Sequence, residues 1–97
     1  MIGTEKSMEF AVRIDAKFAG QGYEYMVIPG RKYDKIVRVP DSGFGRSVYA
    51  FVDRETGDLL KADSWKKPAT GVRYTGEELL TRAVDEADPY GSFLYNR

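Results

Sequence analysis

The 97-residue chain has no cysteine and no histidine. Without cysteine there are no disulfides and no thiolate metal sites, and a reducing compartment is permitted. Without histidine the commonest general base and the commonest metal ligand are both missing. That removes Ser/His/Asp and Cys/His nucleophilic sites and ordinary zinc chemistry. No apolar run approaches the ~20 residues a helix needs to span a bilayer, and the first residues lack the basic-then-apolar layout of a signal peptide. The expectation from these absences is a soluble, cytoplasmic protein with no membrane contact, no cofactor and no metal.

What is present is a chain of zero formal charge whose charges are unevenly spread. Residues 31–73 carry ten basic and six acidic side chains, whereas residues 74–97 carry two basic and five acidic. The middle of the chain is mildly basic and its end is acidic. Interspersed surface charge accounts for this about as well as a ligand does.

The strongest local signal lies between Ser47 and Lys67. Val48, Ala50 and Val52 alternate with Tyr49 and Phe51, so both faces of that strand are apolar, as in a central strand covered on both sides. Asp53-Arg54-Glu55-Thr56-Gly57-Asp58 breaks the run with the spacing of a type I turn followed by a left-handed glycine at Gly57. Leu59 to Ala62 forms the return strand.

Upstream, residues 1–6 are expected to be flexible. Ser7 is a candidate helix cap, and Phe10, Ile14 and Phe18 fall on one helical stripe ending at Gly20 and Gly22. Met8, Phe10, Val12, Ile14, Ala16 and Phe18 also alternate as a strand does, but the alanines and terminating glycines favour helix. Two strand segments follow between Gly22 and Pro40, divided at Pro29-Gly30 by a turn or a bend. Residues 63–73 read as irregular. Thr75 and Glu78 form a capping-box pattern for a second helix that stops before Pro89. The expected fold is one α+β domain over residues 1–97, in the order α-β-β-β-α. Its antiparallel sheet has three strands, or four if Pro29-Gly30 is a true turn, with the helices mainly on one face.

The pattern F-V-x-x-x-T-G-D at Phe51–Asp58, followed by K-A-x-S-W-K-x-P-A at Lys61–Ala69, resembles a group of small bacteriophage-encoded proteins. The closing A-D-x-Y-G-x-x-L-Y at Ala87–Tyr95 is similar too. The resemblance implies a phage origin, and with it a host-cell cytoplasmic location. The group has no assigned activity, so the resemblance supplies no catalytic residues.

Four constellations are candidates for function. The first is a basic and aromatic set: Lys61, Trp65, Lys66, Lys67 and Arg73, with Arg31, Lys32, Lys35 and Arg38 from the earlier strands and Tyr49 nearby. Basic side chains neutralise phosphates while an aromatic ring stacks on a base. Against this, a lone tryptophan is often a core anchor, and solvated lysines need no ligand. The second is the carboxylate trio Asp53, Glu55 and Asp58, which could hold a hard cation but sits where a turn uses Asp to bond its own backbone. The third is the glycine loops at Gly30 and Gly43-Phe44-Gly45, which match no phosphate-binding motif. The fourth is an aromatic interaction patch of Phe44, Tyr90, Phe93 and Tyr95, for self-association or a host protein, set against simple core packing.

These features favour a small accessory protein that acts by binding. The candidate partners are DNA or RNA through the Lys/Arg and Trp65 surface, or else a host protein or a second copy in an edge-paired homodimer. An enzyme is disfavoured for want of a convincing catalytic set.

Overall fold

The computed structural model describes residues 2–96 as a five-stranded antiparallel sheet with one long helix and a short C-terminal helix. Helix α1 spans Glu5–Lys17. Its cap is Thr4, not Ser7: Thr4 Oγ1 accepts the Ser7 N–H at 3.2 Å, and Ser7 is itself buried. Residues 4–6, expected to be flexible, thus form the cap and first turn. Glu5 in the first turn and Lys17 in the last complement the helix dipole. The stripe of Phe10, Ile14 and Phe18 faces the core, while Met8 and Val12 of the competing strand pattern lie exposed.

Strands β1 (Tyr23–Ile28), β2 (Tyr33–Pro40), β3 (Ser47–Asp53), β4 (Leu59–Ala62) and β5 (Pro68–Tyr74) pair in sequence order. Pro29-Gly30 is therefore a turn between paired strands. The sheet has five strands, where three or four were expected. The extra one is β5, whose Pro68 and Gly71 and two register shifts against β4 hide any period-two pattern. An edge strand tolerates such residues because one side of its backbone needs no partner. The β3–β4 turn is as expected: Gly57 has φ +80°, and Asp53 Oδ1 accepts the N–H groups of Glu55 and Thr56 at 2.8 and 3.1 Å.

The register separates the two faces. Asp34, Val52, Leu59 and Tyr74 lie opposite one another across β2 to β5, and Ile28, Lys35, Phe51, Leu60 and Val72 do so across β1 to β5. The first row shares its face with the hydrophobic core, in which Phe10, Ile14, Leu79, Ala83 and Leu94 pack on Tyr25, Ile36, Ala50, Val52, Leu59 and Tyr74. The residues of the second row belong to no part of that core cluster. All helical elements thus cover one face.

Helix α2 is shorter than the capping box suggested, Arg82–Glu86, preceded by turns. Only half of the box forms as expected: the Glu78 carboxylate accepts the Thr75 N–H at 2.9 Å. The C-terminal segment is held by α1 and by tyrosines. Lys17 Nζ donates to the carbonyls of Val84, Asp85 and Ala87 at 2.7–3.1 Å, and Arg13 donates to that of Leu80. Tyr25 and Tyr49 donate to the carbonyls of Pro89 and Asp88, each at 2.7 Å, and Tyr74 to the Glu86 carboxylate at 2.6 Å. Asp88 in turn accepts three N–H groups, from Tyr90, Ser92 and Phe93, and so fixes the closing 3-10 turn Ser92–Asn96.

A second tie lies at the other end of the core. Asp34 is fully buried on β2 and ion-paired with Arg54 of the β3–β4 turn. Its Oδ2 accepts the Thr4 N–H at 2.8 Å, and Arg54 also donates to the Ile2 carbonyl at 2.9 Å. One carboxylate thereby joins β2, the hairpin turn and the start of α1.

Two measurements test this packing. Asp34→Ala leaves Arg54 and the Thr4 N–H without their acceptor, and chemical denaturation should register a loss of about 2–3 kcal/mol, discounted for the partly exposed arginine. Alkaline titration tests the tyrosines. Burial pushes the Tyr25 hydroxyl from 10.0 to about 12, against a smaller opposing pull from Arg38, and pushes Tyr49 higher still. Between pH 10 and 12 the folded state keeps protons that the unfolded chain releases, so stability falls as pH rises. Absorbance at the phenolate band should therefore show Tyr25 and Tyr49 ionising above the ordinary tyrosine range; an ordinary titration of every tyrosine contradicts this packing.

Candidate nucleic-acid interface

Among the described residues no helix lies on the second face, so its own long side chains cover it. Phe51 and Leu60 are buried there, and Tyr33 meets Phe51 edge-on with centroids 6.1 Å apart. The β4–β5 loop closes tightly, with the N–H groups of Asp63 and Ser64 both donating to the Lys67 carbonyl at 3.1 Å. This projects Trp65 and Lys66 over the sheet. Trp65 is 41 % exposed, and Lys35 Nζ lies 4.1 Å and the Arg46 guanidinium 5.5 Å from the centre of its ring. Trp65 is therefore a surface residue, and the core-anchor reading does not hold. Such cation–π contacts contribute about 0.5–1 kcal/mol at exposed sites.

Beside Trp65 runs a shallow groove of about 270 Å³. The Pro29-Gly30 turn forms one wall, Lys66 another, and Tyr33 and Phe51 the floor, with Arg31, Lys32 and Lys35 along its lining. The turn is sterically set: a β-carbon on Gly30 would stand 2.6 Å from the Tyr33 carbonyl oxygen. Its end is tethered where the Arg54 N–H donates to the Lys32 carbonyl at 3.0 Å. Lys32 Nζ lies 5.4 Å from the centre of the Tyr33 ring.

The cations of this face outnumber its carboxylates, of which the register places Asp53 opposite Tyr33 and Glu24 opposite Val39. Among the described residues, Arg31, Lys32, Lys35, Arg46 and Lys66 form no salt bridge with a carboxylate. Burial and the neighbouring Arg46 charge both hold the Lys35 ammonium below its usual pKa. The acidic end of the chain does not compensate, because its anchors are α1 and the tyrosines of the other face.

Of the basic set named from sequence, the fold brings Arg31, Lys32, Lys35, Trp65 and Lys66 together. Lys67 projects from the same loop but pairs with Asp63 at 3.9 Å. Lys61, Arg73 and Arg38 lie on the helix-covered face. Lys61 Nζ sits 4.3 Å from the centre of the Tyr95 ring, Arg73 Nε donates to the Leu94 carbonyl at 2.9 Å, and Arg38 stands over Tyr23 and Tyr90. Strand parity explains Lys61, which is adjacent to Leu60 and so points the opposite way. Tyr49 is buried with the core because a bulge between β2 and β3 turns it inward. Three residues of the site went unnamed from sequence as parts of it: Arg46, Tyr33 and Phe51. Arg46 is hidden behind a glycine loop, but Tyr33, Lys35 and Phe51 follow from the alternation once strand pairing is known.

The proposed aromatic patch is dispersed. Phe93 is buried and packs on the rings of Tyr49 and Tyr74, with centroids 6.0 and 5.7 Å away. Tyr90 meets Tyr23, Tyr95 lies by Lys61, and Phe44 stands alone at 82 % exposure in the β2–β3 loop. Asp53 and Asp58 are engaged by backbone N–H groups, Asp58 by that of Gly76 at 2.8 Å. No group of three potential metal ligands occurs among the described residues. No helix there is long and apolar enough to cross a membrane.

Residues 4–96 match a family of unknown function, DUF7717. The chain belongs to that family. No curated protein and no solved structure matches it. The DUF7717 match takes in every strand, both helices and the whole of the basic groove, but its description carries no activity, so the chemistry must come from the geometry.

The Lys35–Arg46 coupling is directly measurable. Arg46→Ala should move the Lys35 ammonium titration up toward 10.5 by removing the like charge, as followed by side-chain NMR shifts. An unchanged Lys35 titration would show that the two cations do not share the Trp65 ring in solution.

Proposed function

We propose that this DUF7717 protein binds nucleic acid through the open face of its sheet, as a phage-type accessory protein without catalytic chemistry. The observation that carries the reading is a set of five cations, without carboxylate partners among the described residues, on the face the helices leave uncovered: Arg31, Lys32, Lys35 and Lys66 line the groove, and Lys35 and Arg46 lie over the exposed Trp65. Five like charges on one surface repel one another, and a polyanion relieves that repulsion while releasing its own counterions. The zero net charge is no objection, because the acidic segment is tied to the opposite side.

The sheet edges favour this face over an edge-paired dimer. On β1 the Tyr25 N–H is taken by Asp15 Oδ1 at 3.1 Å, and β5 is broken by two register shifts. Blocked donors and bulges are the devices that discourage strand addition.

The experiment is an anisotropy titration of a labelled oligonucleotide over a range of salt. With five phosphates contacted, the logarithm of affinity should fall against the logarithm of salt with a slope of about −3.5 on a single strand. Lys66→Glu should flatten that slope by about one and weaken binding, whereas Lys61→Glu, on the other face, should leave both near wild type. Undetectable binding at low salt, or equal effects of the two variants, would end this reading.

A further inference from the structure

We infer that the open face selects single-stranded nucleic acid, seating one phosphate in the groove under the β1–β2 turn and the adjoining base on Trp65. This rests on the nucleic-acid reading above and goes further, because a basic face alone would bind duplex and single strand alike.

Three features carry it. First, the groove is small. At about 270 Å³ it falls just below the ~300–1,000 Å³ of pockets that enclose drug-sized ligands, and with Arg31, Lys32, Lys35 and Lys66 on its rim it suits one anionic unit. Second, the groove and the ring are adjacent and share a residue. Lys35 lines the groove and holds its ammonium 4.1 Å from the centre of the Trp65 ring. A phosphate neutralised by Lys35 therefore lies next to an aromatic surface. Third, Trp65 keeps 41 % of its surface exposed even with Lys35 and Arg46 over its ring, on a loop whose two hydrogen bonds to the Lys67 carbonyl hold it in place. In a duplex each base face is already stacked on its neighbour, and only an unpaired base can stack on a protein ring. An acidic peptide satisfies the lysines equally well but has no use for the ring.

The test uses the full chain, its single tryptophan as reporter, and three probes: a single-stranded oligonucleotide of roughly ten bases, the duplex of the same sequence, and polyglutamate of matched charge. The single strand should quench Trp65 emission and bind more tightly than the other two. Trp65→Leu should lower single-strand affinity by about 5- to 150-fold while changing duplex affinity by no more than about twofold, and Trp65→Tyr should restore most of the loss. If duplex and single strand bind equally and Trp65→Leu weakens neither, the base-stacking inference is overturned while nucleic-acid binding stands. If polyglutamate competes as well as the single strand, the surface takes acidic protein and the inference again fails. If no nucleic acid binds at low salt, both readings fail together.

Discussion

A single β-sheet has two faces, and here the helices of the described residues cover only one of them. Everything distinctive about the molecule follows from how it treats the other. The helix-covered face is built from apolar and tyrosine side chains that meet Phe10, Ile14, Leu79, Ala83 and Leu94, and burial there supplies the main driving force for folding. The uncovered face has no such partner. It is shielded by long cationic side chains lying over Tyr33 and Trp65, with Phe51 and Leu60 kept dry beneath. Lysine and arginine suit this because their stems are apolar and their charged ends stay wet.

The helix-covered face also decides where the acidic end of the chain goes. Lys17 and Arg13 of α1 bind backbone carbonyls of the segment 80–87, and three tyrosine hydroxyls from β1, β3 and β5 bind residues 86–89. At the opposite end, buried Asp34 joins the start of α1 to the hairpin turn through Thr4 and Arg54. With the acidic segment fixed in this way, the cations of the groove form no ion pair with it among the described residues. The electrostatic asymmetry seen along the sequence becomes an asymmetry between the two sides of the fold.

Local regularity determined how much of this was legible in the sequence. The alternation of Val48 to Val52 and the Asp53–Gly57 turn identify a central hairpin, because strand period and turn chemistry are both local. The stripe of Phe10, Ile14 and Phe18 likewise gives α1, though its cap is Thr4. Strand β5 was missed because Pro68, Gly71 and the bulges erase its pattern, and the second helix was overestimated because turns replace its first residues. For the candidate site, residue type suggested which side chains belong to a basic aromatic set. Only pairing register sorts them by face, sending Lys35, Trp65 and Lys66 to the groove and Lys61, Arg73 and Arg38 to the core side. Arg46 reaches Trp65 from a different loop, a non-local contact with no local signal.

On the proposed function, the open face and no other surface receives a polyanion. Amide chemical-shift mapping of the isotopically labelled chain with a single-stranded oligonucleotide tests it residue by residue. Perturbations should concentrate at Arg31–Lys35, Arg46 and Ser64–Lys67, with α1 and α2 unmoved. Perturbations centred on the helices, or none at low salt, would contradict it.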